Sequence, residues 1–144
     1  MVICIFGESC TGKSTLAQQL VDRFGGTIYT GKDYLRLAKN EAEARKAFRQ
    51  LLESAAADRN ALTVFVTTEP ELLSLLPDIC TRVLITAPLD AIKERFARRT
   101  GGTLPAGVAA MLERKHGCFD QLPHDFHISS ETADLDAILA FAKR

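Results

Sequence analysis

The chain has 144 residues, enough for one domain whose folding removes roughly 68% of its unfolded surface from water, and it leaves no room for a separate substrate domain. Eighteen Lys and Arg balance eighteen Asp and Glu, so no global field favours nucleic acid or a membrane surface, and recognition has to be local. The first apolar run starts at Val2 and none nears the length of a bilayer span, so neither a leader nor a membrane helix is expected, and the expected setting is cytoplasmic. Cys4, Cys10, Cys80 and Cys118 have no close-pair spacing, which points to reduced thiols rather than to a zinc site or disulfides.

Apolar runs at 2–6, 27–30, 62–67, 82–87 and 126–129 alternate with helical-period segments at 13–24, about 33–57, 70–76, 89–99, 104–117 and 133–143. This alternation predicts parallel strands with helices on both faces, a three-layer α/β/α domain with a five-stranded sheet spanning residues 1–144. Val64-Phe65-Val66 and Val83-Leu84-Ile85 are continuous rather than alternating, as strands covered on both faces are.

The first run leads into GESCTGKS at residues 7–14, the strand, glycine loop and helix order of a phosphate-binding P-loop. Gly7 and Gly12 permit the tight turns. The amides of Glu8, Ser9, Cys10, Thr11 and Thr15 are then placed around a polyphosphate, along with the positive end of the next helix. Lys13 is the mobile cation that follows the phosphoryl group, and Ser14 is a magnesium ligand. ATP and Mg2+ are the expected ligands. Cys10 lies inside this anion-binding loop, where backbone dipoles favour a thiolate and oxidation.

In the 33–57 segment Leu35, Ala38, Ala42, Phe48, Leu52 and Ala55 form an apolar stripe that Arg45 shares; the arginine is there as a snorkelling edge residue or as a ligand contact. Thr100-Gly101-Gly102-Thr103 is read as a left-handed stop at Gly101 followed by a cap at Thr103. His124-Asp125-x-His127 and His116 invite a metal reading, but no further ligand is evident and loop histidines are the better account.

Thr30-Gly31-Lys32-Asp33-Tyr34-Leu35-Arg36, placed after a second strand that follows the P-loop, resembles the acceptor segment of P-loop nucleoside monophosphate kinases of the adenylate kinase type, with one extra residue at Lys32 or Asp33. By the same resemblance Arg95 and Arg99, in IKERFARR, would lie against adenine and on the transferring phosphoryl group. Arg114, in VAAMLERKHGCFD, would supply another phosphate contact, and the loop after residue 129 would face adenine. Arg95 and Arg99 are one helical turn apart, and planar guanidinium groups suit a site whose work is alignment and charge neutralisation.

The chain departs from that family after its third strand. Thr67-Thr68-Glu69-Pro70-Glu71 stands where the family has an aspartate for magnesium-bound water and an arginine for the acceptor phosphate. Glu69 is therefore either a displaced magnesium carboxylate or a solvated loop residue, and Arg45 is the candidate replacement for the arginine. Asp33 is either a helix cap or, as in shikimate and gluconate kinase-like relatives, the carboxylate that grips and deprotonates a hydroxyl. The lid is expected to be a short helical hairpin over about 95–117. The expected activity is phosphoryl transfer from MgATP by Lys13, Arg95, Arg99 and Asp33 to a small molecule bound by Asp33, Arg36, Arg45 and Arg114. A nucleotide acceptor is favoured over a hydroxyl compound. The alternative is a nucleotide-binding regulatory module with weak ATPase activity. A monomer or weak homo-oligomer is expected.

Overall fold

The computed structural model describes residues 1–129 and 133–144. Five parallel strands, β1 (Val2–Phe6), β2 (Thr27–Thr30), β3 (Thr63–Thr67), β4 (Thr81–Thr86) and β5 (Phe126–Ser129), lie in the order β2-β3-β1-β4-β5. Every residue of β1 is buried, whereas the edge strands β2 and β5 alternate or open to solvent. Helices α1 (Lys13–Phe24), α2 (Glu41–Ala57), α3 (Leu89–Arg99), α4 (Ala106–Lys115) and α5 (Leu135–Ala142) complete the layers. The expected three-layer fold is the one observed.

The pleat explains how an unbroken apolar run serves two cores. Ile3 and Ile5 point to one face, with Leu16 and Leu20 of α1 and Ile138 of α5. Val2, Cys4 and Phe6 point to the other, where Phe48 and Leu52 of α2 and Phe119 meet them. Phe48 is fully buried at the centre of an aromatic group, its ring edge-on to Phe65 at 5.0 Å and stacked on Tyr34 at 5.9 Å.

The segment 33–57 is not one helix. A 3₁₀ turn covers Asp33–Leu37, Ala38 is extended, and α2 starts only after Asn40, whose side chain accepts from the Glu43 amide at 2.9 Å. The capping residue is thus Asn40 and not Asp33. The break rotates the stripe: Tyr34, Ala44, Phe48 and Leu52 are buried, while Leu35 and Ala42 face solvent and Arg45 pairs with Glu41 at 3.1 Å. Pro70–Leu75 is likewise a 3₁₀ turn. Gly101 has the expected positive φ of 92°, but α4 begins after Pro105. Thr103 is no cap; its carbonyl accepts from the Thr100 hydroxyl at 2.9 Å.

The hairpin of α3 and α4 has its own small apolar cluster, Ala87, Ile92 and Leu112 with Phe96, Leu104 and Met111 around them. A Lys93–Glu113 ion pair at 2.5 Å braces it. Replacing Phe48 with alanine empties the aromatic centre, and the expected loss is about 3–5 kcal/mol. It is measured as a lowered urea midpoint with an unchanged slope.

Candidate active site

The loop 7–12 leaves the sheet at the carboxyl end of its central strand, where open α/β sheets bind ligands. At Gly7 a Cβ would lie 2.1 Å from the Ile85 carbonyl oxygen, so only glycine passes β4 at that distance. Gly12, at φ 97°, turns the chain into α1, and a Cβ there would meet nothing. Cys10 between them has φ 61°, the one positive φ outside glycine among the described residues. Such a conformation costs about 1–2 kcal/mol and is tolerated only where the surroundings impose it.

The first main-chain bond of α1 runs from the Leu16 amide to the Gly12 carbonyl at 3.1 Å, and no side chain caps the helix. The amides ahead of Leu16 therefore lack partners within the helix and face the loop. Lys13 is only 6% exposed. Its Nζ donates to the Glu8 carbonyl, and at 3.4 Å to the Thr11 hydroxyl. Burial pushes its pKa down to about 8; the Cys10 thiol opposes that shift, Arg99 adds to it and Glu8 opposes it.

Two clefts meet over this loop. One of about 560 Å³ runs from Thr11, Gly12 and Thr15 to Thr86, Arg95 and Ile128 at the ends of β4 and β5. The other, about 260 Å³, runs from Lys13 and Ser14 to Thr30, Gly31, Thr67 and Thr68 at the ends of β2 and β3. Arg99 lines both, with Cys10, Gly12 and Thr15. Arg95 donates to the Cys10 carbonyl at 3.0 Å. The structure thus gathers Lys13, Ser14, Thr15, Arg95 and Arg99 at one place.

The acceptor-side candidates are spread more widely. Asp33 turns back onto β2, its Oδ2 accepting from the Thr30 amide at 2.8 Å and the Thr30 hydroxyl at 3.2 Å, which sets it at the rim of the smaller cleft. Arg36 reaches Asp33 only at 3.7 Å and is 85% exposed. Arg45 lies along α2 with Glu41, and Arg114 is exposed on α4; neither lines these clefts. Glu69 is half-buried beside Thr68 and outside the lining, its amide donating to the Thr67 hydroxyl at 3.0 Å. The hydroxyls of Thr30, Thr67 and Thr68 are functional candidates that the sequence reading passed over, although threonine ending successive parallel strands is a visible signal. The loop expected to face adenine begins at residues 130–132, which lie outside the described residues. Among the described residues no three His, Cys, Asp or Glu side chains gather as a metal cluster.

A triphosphate fits this donor set, since a buried ammonium and uncapped amides are anion donors lacking, among the described residues, a compensating carboxylate in the cleft lining. Magnesium fits through one protein oxygen, the Ser14 hydroxyl in the smaller cleft, together with phosphate oxygens.

The folded-state pKa of Lys13 near 8 lies below the ordinary 10.5, so between those values the unfolded chain holds more protons and ligand-free stability rises with pH. A bound polyanion restores the ammonium. Calorimetry at about pH 9 is expected to show uptake approaching about one proton per MgATP, with affinity falling as pH rises beyond about 8. Lys13→Met is expected to abolish the uptake.

No family model and no curated protein matches the sequence. Solved structures do match along nearly the whole chain. An unliganded sugar kinase from a Janibacter species is 14% identical, with 98% of this chain and 91% of that one covered and a TM-score of 0.62. A shikimate kinase from Acinetobacter baumannii in complex with shikimate is 14% identical, with 96% and 88% covered and a TM-score of 0.62. The YorR protein of Bacillus subtilis, in complex with phosphorylated GDP, is 18% identical, with 97% and 92% covered and a TM-score of 0.59. With its glycine loop at the end of the central strand, the chain has the fold of the P-loop kinases.

Proposed function

We propose that the chain is an ATP-dependent kinase that moves the γ-phosphoryl group of MgATP onto a hydroxyl of a small polar acceptor. The observation that carries this reading is that the two clefts share Arg99 and the loop residues Cys10, Gly12 and Thr15, with Lys13 on the smaller cleft's side of that junction. A group passing from the larger cleft to the smaller moves past Arg99 and arrives beside Lys13, and phosphoryl transfer asks of a protein chiefly alignment and charge neutralisation. The likeness to a sugar kinase and a shikimate kinase supports it.

In this reading residues Gly7 to Thr15 hold the triphosphate, Arg95 leans from α3 over the loop towards the base, and Arg99 tracks the moving group. Magnesium, held by Ser14 and phosphate oxygens, supplies neutralisation of the terminal phosphates, and Glu69 is the carboxylate nearest in sequence to the Thr68 rim. The acceptor oxygen bonds to the γ-phosphorus as the bond to the β,γ-bridging oxygen breaks; the hydroxyl proton passes to Asp33 and ADP leaves. Thr30, Thr67 and Thr68 donate to and accept from the acceptor's other hydroxyls.

A hydroxyl acceptor is preferred here to the nucleotide favoured on sequence grounds, because Arg99 is the only arginine in the smaller cleft's lining among the described residues. The nucleotide reading retains one observation: Arg36 is exposed near the same rim, free to swing to a monophosphate. The two separate cleanly. For a hydroxyl acceptor, Asp33→Asn is expected to suppress transfer while MgATP still binds, and Arg36→Ala to leave acceptor affinity unchanged. For a nucleotide acceptor, Arg36→Ala is expected to weaken acceptor binding. Arg99→Ala is expected to lower kcat about a hundred- to a thousandfold in either case. These are measured by coupled ADP release across an acceptor panel. Slow hydrolysis that no acceptor stimulates would overturn the kinase reading in favour of a regulatory module.

A further inference from the structure

Glu8, the first variable residue of the phosphate loop, is 8% exposed and aims its carboxylate away from both clefts. A carboxylate in a loop built for a polyanion works against its ligand unless donors turn it away from the site and hold it there. Here two donors from the far end of the hairpin do so: His116 Nδ1 at 3.0 Å on one oxygen and the Gly117 amide at 3.1 Å on the other. His116 is the cap that follows α4, and Gly117 turns with φ 82° towards Phe119, whose ring packs on Phe6 at the end of β1. The main-chain carbonyl of the same Glu8 accepts from Lys13 Nζ and from the Thr11 hydroxyl.

The loop is therefore gripped on two sides by one hairpin. Arg95 of α3 holds the Cys10 carbonyl, and the turn after α4 holds the Glu8 carboxylate. We infer that Glu8 and His116 are positioning residues forming a clasp that couples the phosphate loop to the root of the α4 arm, so that loading the loop orders the hairpin and an ordered hairpin holds Lys13 in place. The clasp touches no reacting atom. The inference rests on the kinase reading for its purpose, though not for its existence. His127, Asp120 and His124 line the adjoining cleft of about 350 Å³ with these residues, but His127 is engaged with the Thr86 hydroxyl and His124 with the Leu122 carbonyl.

Hydrogen exchange read by mass spectrometry, with and without a non-hydrolysable MgATP analogue, tests the coupling. In ligand-free His116→Ala, the hydrogen-bonded amides of residues 16–20, the first bonded turn of α1 after the loop, and of residues 109–117 are expected to exchange about tenfold faster or more, as loss of a side-chain hydrogen bond to the Glu8 carboxylate implies. His116→Asn, whose amide can donate from the same place, is expected to restore the slow rate. With the analogue bound, His116→Ala is expected to keep protection along α3 and lose it along α4. Rates in His116→Ala that match the wild type at both segments would overturn the clasp, and so would an equal acceleration in His116→Asn. Failure of the wild type to bind the analogue would instead overturn the kinase reading, with the ligand-free rates still deciding the clasp.

Discussion

A single buried ammonium at the carboxyl end of the central strand organises this molecule. Among the described residues Lys13 has no carboxylate partner for its Nζ, only the Glu8 carbonyl and the Thr11 hydroxyl, and burial lowers the affinity of its nitrogen for a proton. Such a group is costly to keep in a folded core and becomes favourable when a polyanion arrives. The features around it serve that exchange: the glycine passage beside Ile85, the left-handed turn at Gly12, the uncapped start of α1 and the strained Cys10. The two apolar layers hold this arrangement rigid from both sides of β1.

What the sequence revealed follows from how local each signal is. Strand positions were legible because buried parallel strands are continuous apolar runs, and the loop because Gly7, Gly12, Lys13 and Ser14 must follow one another in the chain. The break before α2 was less visible. Asn40 with Glu43 three residues on is a capping pattern, but the apolar spacing ran across it and suggested one helix. That mistake placed Leu35 and Ala42 on the apolar stripe and left Asp33 with a capping role as one of its two readings, a role that belongs to Asn40.

The proposed acceptor side is where sequence reasoning was weakest, for a physical reason. Its walls come from the ends of β2 and β3, separated by more than thirty residues and joined only by the register of the sheet. No short motif records which hydroxyls converge there. The basic residues that do stand out along the chain divide instead: Arg95 and Arg99 reach the loop, while Arg36, Arg45 and Arg114 remain on the surface of their own elements. Charge on a helix is conspicuous in a sequence whether or not the fold turns it inward.

The α3–α4 hairpin closes on itself around Ile92 and Leu112, apart from the two layers that flank the sheet. A segment with a private apolar cluster can detach without exposing the main interior, so its opening free energy is set by that cluster and by the few ties to the loop, and is smaller than that of the whole domain. In the proposed reading, the arm beside the phosphate loop is thereby free to breathe on a faster clock than the sheet beneath it, so that ligands would enter and leave a scaffold that stays folded throughout.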